Sequence, residues 1–252
     1  MNEAAKEEML TSGSKLELGS SDERAKPINV AIDGPAGAGK STVAQKVAAE
    51  MGFLYIDTGA MYRAATWIAL EKKIDPTDAF TIVGLVEKAS VELKPGDASS
   101  NGRVRVFVNG DDVTFIVRSR IISKFVSTIA ALPGVRKILV QKQQAMATRG
   151  GVVMDGRDIG TVVLPDAQVK VYLTASANIR AERRLKELKE MGQIADLHTL
   201  LSEIEARDQM DYTRAVSPLK RAEDAIEIST DELSIDEVVG RVLALAKAAA
   251  QA

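Results

Sequence analysis

A glycine-rich segment that ends in Lys-Ser is the feature that most restricts how this chain folds. Residues 34–41 read Gly-Pro-Ala-Gly-Ala-Gly-Lys-Ser, which fits the pattern G-x-x-x-x-G-K-[ST]. Glycines let the backbone wrap closely around a phosphate group with its N–H groups pointing inward. The apolar run 28–32 precedes the segment, and Val43, Val47 and Met51 follow it at helical spacing. The pattern therefore predicts a phosphate-binding loop (P-loop) between a buried strand and a helix.

This loop predicts a binding site for ATP and Mg²⁺. Lys40 is placed to reach the β- and γ-phosphates, the Ser41 hydroxyl can ligate Mg²⁺, and the helix adds its positive dipole end. Asp155, which follows the apolar run 152–154, is a candidate for a water-mediated Mg²⁺ contact, with a purely structural aspartate as the alternative. The residues predicted to bind ATP are Gly34, Pro35, Ala36, Gly37, Ala38, Gly39, Lys40, Ser41 and Thr42.

Composition and charge exclude several classes of function. The 252 residues include no Cys and one His, which excludes thiol nucleophiles, disulfides and Cys-rich or multi-His metal sites. Of the 33 basic and 35 acidic residues, four and six lie in 1–26, so the rest of the chain is neutral, which argues against nucleic-acid binding. No stretch approaches the ~18 apolar residues of a membrane helix. We expect a cytoplasmic protein without a membrane or nucleic-acid partner.

Short apolar runs alternate with helical patterns beyond Pro27. Five such runs are predicted as strands: 28–32, 53–56, 151–154, 169–173 and 225–228. Short strands interleaved with helices indicate an α/β fold with a five-stranded parallel sheet and helices on both faces.

Two segments depart from this alternation. Residues 75–115 contain turn signals at Asn101-Gly102 and Asn109-Gly110 on either side of alternating valines, which predicts a small antiparallel β insertion. Residues 1–26 are polar and without a sustained period, so we expect a flexible tail before a single domain over 27–252.

The main classes of P-loop protein differ in a further sequence motif, which allows two of them to be excluded. None of the Asn residues is followed by Lys, so the guanine-reading N-K-x-D motif of GTPases is absent from the sequence. The apolar run 152–154 continues into Asp-Gly and not into the Asp-Glu typical of motor ATPases. A small-molecule kinase is the class that remains.

Three further motifs resemble those of the bacterial cytidylate kinase family, a branch of the nucleoside monophosphate kinases. Residues 57–63 (Asp-Thr-Gly-Ala-Met-Tyr-Arg) resemble the turn that binds the monophosphate. Residues 155–166 (Asp-Gly-Arg-Asp-Ile-Gly-Thr-Val-Val-Leu-Pro-Asp) and 207–219 (Arg-Asp-Gln-Met-Asp-Tyr-Thr-Arg-Ala-Val-Ser-Pro-Leu) are similar to family signatures. The resemblance covers residues 27–252, including the position of the insertion, and implies transfer of the γ-phosphoryl group of ATP to CMP and dCMP.

The resemblance also implies the residues that hold the acceptor phosphate. Arg63, Arg157 and Arg214 correspond to the family's phosphate-binding arginines, and Lys40, Arg157 and Arg214 are the expected catalytic residues. Their chemistry agrees, because the planar arginine fork matches phosphate oxygens and two polyphosphates need concentrated positive charge between them. The competing interpretations are structural salt bridges for Arg157 and Arg214 and a solvated charge for Arg63.

The other residues of the acceptor pocket are assigned from the resemblance alone. Ser127, Arg136 and Asp158 correspond to the residues that meet cytosine, Asp211 to the residue that binds the ribose, and Thr58 lines the same pocket where relatives often have Ser. Without the family, Ser127 and Arg136 would be interpreted as ordinary helical residues.

The charged segment 178–195 resembles the lid that closes over ATP, with Arg183 or Arg184 as candidates to touch the donor phosphates. A solvated helix face with i,i+4 ion pairs is the alternative. Three other functions stay open: a kinase for UMP, AMP or an alcohol, a nucleotide-binding module without catalysis, and a nucleic-acid-dependent ATPase. We expect a monomer.

Overall fold

The computed structural model describes residues 27–190 and 192–251, so the predicted tail over 1–26 lies outside the described residues. The strands are β1 (Asn29–Asp33), β2 (Leu54–Asp57), β3 (Val91–Lys94), β4 (Arg105–Val108), β5 (Asp111–Asp112), β6 (Val152–Gly156), β7 (Val169–Thr174) and β8 (Ile226–Ser229). The helices are α1 (Lys40–Met51), α2 (Thr58–Glu71), α3 (Ala79–Lys88), α4 (Arg120–Ala130), α5 (Pro133–Met146), α6 (Ala177–Glu190), α7 (Leu197–Thr213) and α8 (Ile235–Gln251).

Five strands form the parallel sheet that the apolar runs predict. Their order is β2-β6-β1-β7-β8, and all four neighbouring pairs are parallel. The chain first goes from β1 to β2 and β6 on one side of the sheet, and then crosses to β7 and β8 on the other. Connections that diverge in this way open a crevice at the carboxyl end of β1, where ligands bind in open α/β sheets.

Alternate residues of β1 enter separate cores, which confirms helices on both faces of the sheet. Val30 and Ile32 pack with residues of α1 and α8, including Val43 and Val242. Ala31 faces the opposite side, in a core against which Val140 and Met146 of α5 pack. Since side chains alternate along a strand, the consecutive apolar residues 30–32 are what a sheet covered on both faces requires.

The insertion contains the predicted antiparallel sheet and also a helix that was not predicted. Strands β3, β4 and β5 pair antiparallel, and the Asn109-Gly110 turn, with positive φ at both residues, joins β4 to β5. Helix α3 comes before this sheet and buries Ile82 and Val86 against α2 and α5. No helix is predicted for this part of the insertion, because the apolar residues of 79–86 follow one another almost continuously and show no helical spacing.

The final third of the described chain is mainly helical. Helices α6 and α7 pack against each other around Ala181, Leu188 and Leu200. Helix α8 begins with a capping box, in which the Ser234 side chain accepts the Glu237 backbone N–H at 3.3 Å and the Glu237 side chain accepts that of Ser234 at 2.8 Å. Within residues 27–190 and 192–251, no helix is long and apolar enough to cross a membrane.

Candidate active site

The P-loop follows β1 directly and has the backbone conformation that its glycines allow. Gly34, Gly37 and Gly39 all have positive φ angles, of 145°, 80° and 87°. A Cβ atom on Gly34 would lie 2.0 Å from the backbone oxygen of Leu173 on β7, so a larger residue cannot occupy this position without moving the sheet. The loop ends at the first turn of α1, which aims its backbone N–H groups at the crevice.

Lys40 is buried at the end of this loop. Its Nζ atom donates to the backbone oxygen of Pro35 at 2.7 Å. Burial first, and then the charge of Arg157, lower the pKa of Lys40 to about 7 against the opposing effect of Asp155. A polyphosphate in the loop would restore the full positive charge of this side chain.

Asp155 lies beside the P-loop at the end of β6. Its carboxylate accepts hydrogen bonds from Ser41 Oγ at 3.0 Å and from the Tyr55 hydroxyl at 2.7 Å. Burial and the nearby Asp57 raise the pKa of Asp155 to about 6. The residues fit magnesium, because a hydroxyl next to a carboxylate is the hard oxygen donor set that Mg²⁺ uses with phosphates. In the described parts of the chain no three acidic or His side chains could form an all-protein cage.

A group of arginines lies next to the loop and includes two of the three predicted phosphate ligands, Arg63 and Arg157. Arg63 on α2 donates to Ser123 Oγ at 2.9 Å, and Arg157 donates to Asp211 Oδ2 at 2.8 Å. Burial lowers the pKa of Arg63, and the charges of Arg118 and Arg157 lower it further against the opposing effect of Asp57. These cations therefore repel one another, and a bound dianion would offset the repulsion.

Arg207 on α7 belongs to the same group and was not assigned a role from the sequence. Burial, then the charges of Arg157 and Arg63, lower the pKa of Arg207 to about 9. Its Nε is buried and finds no hydrogen-bond partner among the described residues. The available signal was its spacing, because residues 207, 211 and 214 share one helical face.

The residues implied to contact the base form a buried ion-pair network. Asp158 pairs with Arg136 through one carboxylate oxygen and lies 3.5 Å from Arg214 Nη2 through the other. The Arg136 side chain is only 2% exposed, and its guanidinium lies 5.1 Å from the centre of the Tyr62 ring. Because both Asp158 oxygens face arginines, the structure brings the predicted base and phosphate residues into one network.

The other three predicted acceptor residues lie around this network. Ser127 lies one turn before Ala130, whose backbone oxygen accepts from Arg136 at 3.1 Å. Thr58 donates to the backbone oxygen of Asp155 at 2.6 Å. Asp211 is paired with Arg157 and lies 3.8 Å from Arg214, so both arginines form the salt bridges of the competing interpretation.

Helix α6 places Arg180 against the P-loop, whereas the two predicted lid arginines, Arg183 and Arg184, bond to other residues. Arg183 donates to Thr230 Oγ1 at 3.0 Å, and Arg184 forms an exposed ion pair with Glu187 at 2.6 Å. Arg180 is buried and donates to the backbone oxygen of Ala36 in the P-loop at 3.1 Å and to Asp208 at 2.6 Å. Arg180 therefore links the donor loop to the helix that carries Arg207.

The P-loop lies at the switch point of a parallel sheet and faces a cluster of buried arginines. This arrangement defines a P-loop kinase with two anionic substrates. The comparisons with known proteins specify which one. The cytidylate kinase family model matches residues 30–248. The chain is 51% identical to a cytidylate kinase of Listeria innocua over 88% of this chain and 97% of that protein. It is 53% identical to a cytidylate kinase of a Geobacillus species over 86% of this chain and 95% of that protein. The chain belongs to the cytidylate kinase family.

Solved structures support the fold at a more distant level. The chain is similar to an uncharacterized protein of Eubacterium ventriosum with a TM-score of 0.50 and 12% identity, covering 88% of this chain and 99% of that one. At this identity the similarity concerns the fold alone.

Proposed function

We propose that this protein transfers the γ-phosphoryl group of ATP to CMP and dCMP, producing ADP and the cytidine diphosphates. The observation that carries the proposal is the buried pair of Arg136 and Asp158 beside the arginine group. Phosphate binding needs only cations, whereas a carboxylate next to an arginine offers the mixed acceptor and donor pattern that can distinguish bases. The names of the matched relatives support the same acceptor.

On the donor side, the P-loop backbone and Lys40 hold the ATP phosphates. Lys40 would exchange its bond to Pro35 for phosphate oxygens, which restores the charge that burial suppresses. Ser41 would ligate Mg²⁺ directly and Asp155 through water, in keeping with their 3.0 Å separation. When bound, the ion supplies neutralisation of the charge on the transferred phosphoryl group.

On the acceptor side, Arg63, Arg157, Arg207 and Arg214 surround the CMP phosphate. The pKa values of Arg63 and Arg207 are lowered first by burial and then by the charges of neighbouring arginines, so these cations repel one another. A phosphate dianion removes that repulsion, so the free energy of acceptor binding includes relief of the strain among the cations.

Base choice follows from the chemistry of Asp158. Cytosine presents an amino donor at its 4-position, which a carboxylate accepts, whereas uracil presents an oxygen there and faces the carboxylate lone pair to lone pair. Arg136 and Ser127 complement the acceptors on the adjoining edge. A buried polar group left unpaired costs roughly 1–3 kcal/mol, which corresponds to about ten- to a hundredfold in specificity.

The reaction needs no general base from the protein. A phosphate monoester has a second pKa near ~6, so CMP arrives as a dianion that is already a nucleophile. The chain contributes in-line positioning and stabilisation of charge by Lys40 and the arginines. Asp211 would bind the ribose and Thr58 would line the pocket. Closure of the insertion (75–115) and of the lid (178–195) would exclude water from the γ-phosphate.

We also propose a cytoplasmic monomer, supported by the Cys-free sequence and by an arrangement in which one chain supplies both substrate sites. Residues 1–26 carry none of the residues of this mechanism, so a chain beginning at Pro27 should keep its turnover.

The test is ADP release, coupled to a spectroscopic readout, with CMP, dCMP, UMP and AMP as acceptors in turn. We expect high kcat/KM for CMP and dCMP, low values for UMP and AMP, and no turnover in Lys40→Met, which controls for contaminating kinases. Equal rates with UMP or AMP would refute the acceptor assignment. Rapid ADP release without any acceptor would indicate an ATPase.

A further inference from the structure

Asp33 is a buried carboxylate that the mechanism above does not use. It is the last residue of β1, directly before the P-loop, and is 4% exposed. Its Oδ1 accepts the backbone N–H of Ile159 at 2.8 Å, and its Oδ2 accepts that of Gly160 at 2.7 Å. One carboxylate therefore ties the strand that leads into the donor loop to the turn that follows Asp158.

The bonded turn is the one that presents Arg157 and Asp158. After Asp158 the chain forms a short π-helical turn over Ile159–Val163, in which the N–H groups of Val162 and Val163 bond to the Asp158 backbone oxygen at 2.9 and 3.1 Å. The first N–H groups of any helical turn lack partners within it and need an acceptor from elsewhere. An aspartate in the position of Asp158 ordinarily supplies that acceptor with its own side chain.

Asp158 does not cap this turn within the described structure, because Asp33 already holds the N–H groups of Ile159 and Gly160. The Asp158 carboxylate is left to face Arg136 and Arg214 instead. The turn is also tightly packed, since a Cβ atom on Gly156 would lie 2.7 Å from Thr58 Oγ1.

We propose that Asp33 is a positioning residue for base selection: by taking over the capping of the turn after Asp158, it keeps the Asp158 carboxylate directed at the base pocket. This inference rests on the proposed function, in which Asp158 reads the base. Without the Asp33 carboxylate, the Asp158 carboxylate is in the position from which a side chain ordinarily caps such N–H groups, and rotation toward them would take it away from Arg136.

Asp33→Asn tests this with little change of volume. The amide keeps one acceptor oxygen but turns its NH₂ group toward the second N–H, so two donors face each other. The readout is the ratio of kcat/KM for CMP to that for UMP, because the two acceptors share their phosphate and ribose and differ in the base. Ser234→Ala is the matched control, since it removes a helix cap on α8, away from the base pocket.

We expect the CMP/UMP ratio of Asp33→Asn to fall at least about tenfold, with the KM for ATP changed by less than about threefold. Ser234→Ala should lower the Tm and leave the ratio unchanged. A folded Asp33→Asn enzyme with the wild-type ratio would overturn the inference and leave Asp33 a structural residue. A wild-type enzyme that does not distinguish CMP from UMP would instead refute the proposed function, and this inference with it.

A measurement on the wild-type enzyme covers the case in which Asp33→Asn does not fold. Burial raises the pKa of Asp33 to about 6, and the ionisable groups that face it are Asp158, Lys40 and Tyr172. Below that pKa the protonated carboxyl turns one of its two acceptors into a donor. The CMP/UMP ratio should therefore fall between pH 7.5 and pH 5.5, and titration of the acceptor phosphate cancels in the ratio. A ratio that stays constant over this range would contradict the inference.

Discussion

Binding of ATP should draw a proton onto Lys40. The side chain is buried with its Nζ atom on a backbone oxygen, and its pKa is lowered to about 7. At pH 8, one unit above that pKa, about nine in ten Lys40 side chains are neutral. Phosphate oxygens in the P-loop favour the charged form and raise the pKa toward or above its usual value. Each bound ATP should therefore be accompanied by uptake of about 0.9 proton at pH 8.

Isothermal titration calorimetry measures this uptake directly. ATP is titrated at pH 8 in two buffers of different ionisation enthalpy, and the slope of the observed enthalpy against the buffer enthalpy gives the number of protons taken up. Lys40→Met is the control, because it removes the titrating group and keeps most of the volume. The slope should drop to near zero in that variant. At pH 6, where Lys40 is already charged in the free protein, the uptake by this group should be small.

Two results would refute the reasoning. An uptake near zero in the wild-type protein at pH 8 would mean that Lys40 is charged before ATP binds, despite its burial. An equal uptake in Lys40→Met would assign the proton to another group.

Three further predictions concern the acidic and basic residues of the site. Asp158→Ala leaves the buried Arg136 without its counter-charge, which should cost roughly 3–5 kcal/mol and lower the Tm by roughly 6–20 °C in calorimetry; a Tm within a degree or two of the wild type would contradict the buried pair. Arg207→Ala should raise the KM for CMP at least about tenfold with little effect on the KM for ATP, while the exposed Arg149→Ala should change neither; a parallel rise in both KM values would argue against an acceptor role. The pKa of Asp155 is raised to about 6 from an ordinary 3.8, so protonation of this carboxylate stabilises the folded state relative to the unfolded one. That stabilisation is fully present below about pH 4 and is lost as the pH rises through 6. Relative to Asp155→Asn, the wild type should gain about 1 kcal/mol between pH 8 and pH 5 in urea unfolding, and a constant difference would place the Asp155 pKa near its ordinary value.

The parts of the fold that the sequence predicts are those governed by local pattern. The run from Ile28 to Ile32 predicts a strand buried on both faces, and its side chains do enter two cores. The glycines of the P-loop predict a backbone with positive φ, which is found at Gly34, Gly37 and Gly39. Helix α3 escaped prediction because its signal is short and its stability comes from packing against α2 and α5.

The site shows the same division between local and long-range information. Arg157, Asp158 and Arg214 could be named because they stand in motifs that are contiguous in sequence. Asp33 and Arg180 could not, because their roles come from bonds to residues 126 and 144 positions away, to Ile159 and to Ala36. Such bonds are set by the topology of the sheet and leave no periodic trace in the chain.

Asp158→Asn is the variant that tests base reading most directly. Asn keeps the volume of the side chain, so the pocket and its packing are retained, but its amide can turn its N–H toward the oxygen of uracil. The measurement is kcat/KM for CMP and for UMP with wild-type and variant enzyme at one ATP concentration and pH 7.5. Our account predicts a strong preference for CMP in the wild type and a CMP/UMP ratio about ten- to a hundredfold smaller in Asp158→Asn. An unchanged ratio, with both values falling together in a folded variant, would contradict it and reduce Asp158 to a support for Arg136 and Arg214.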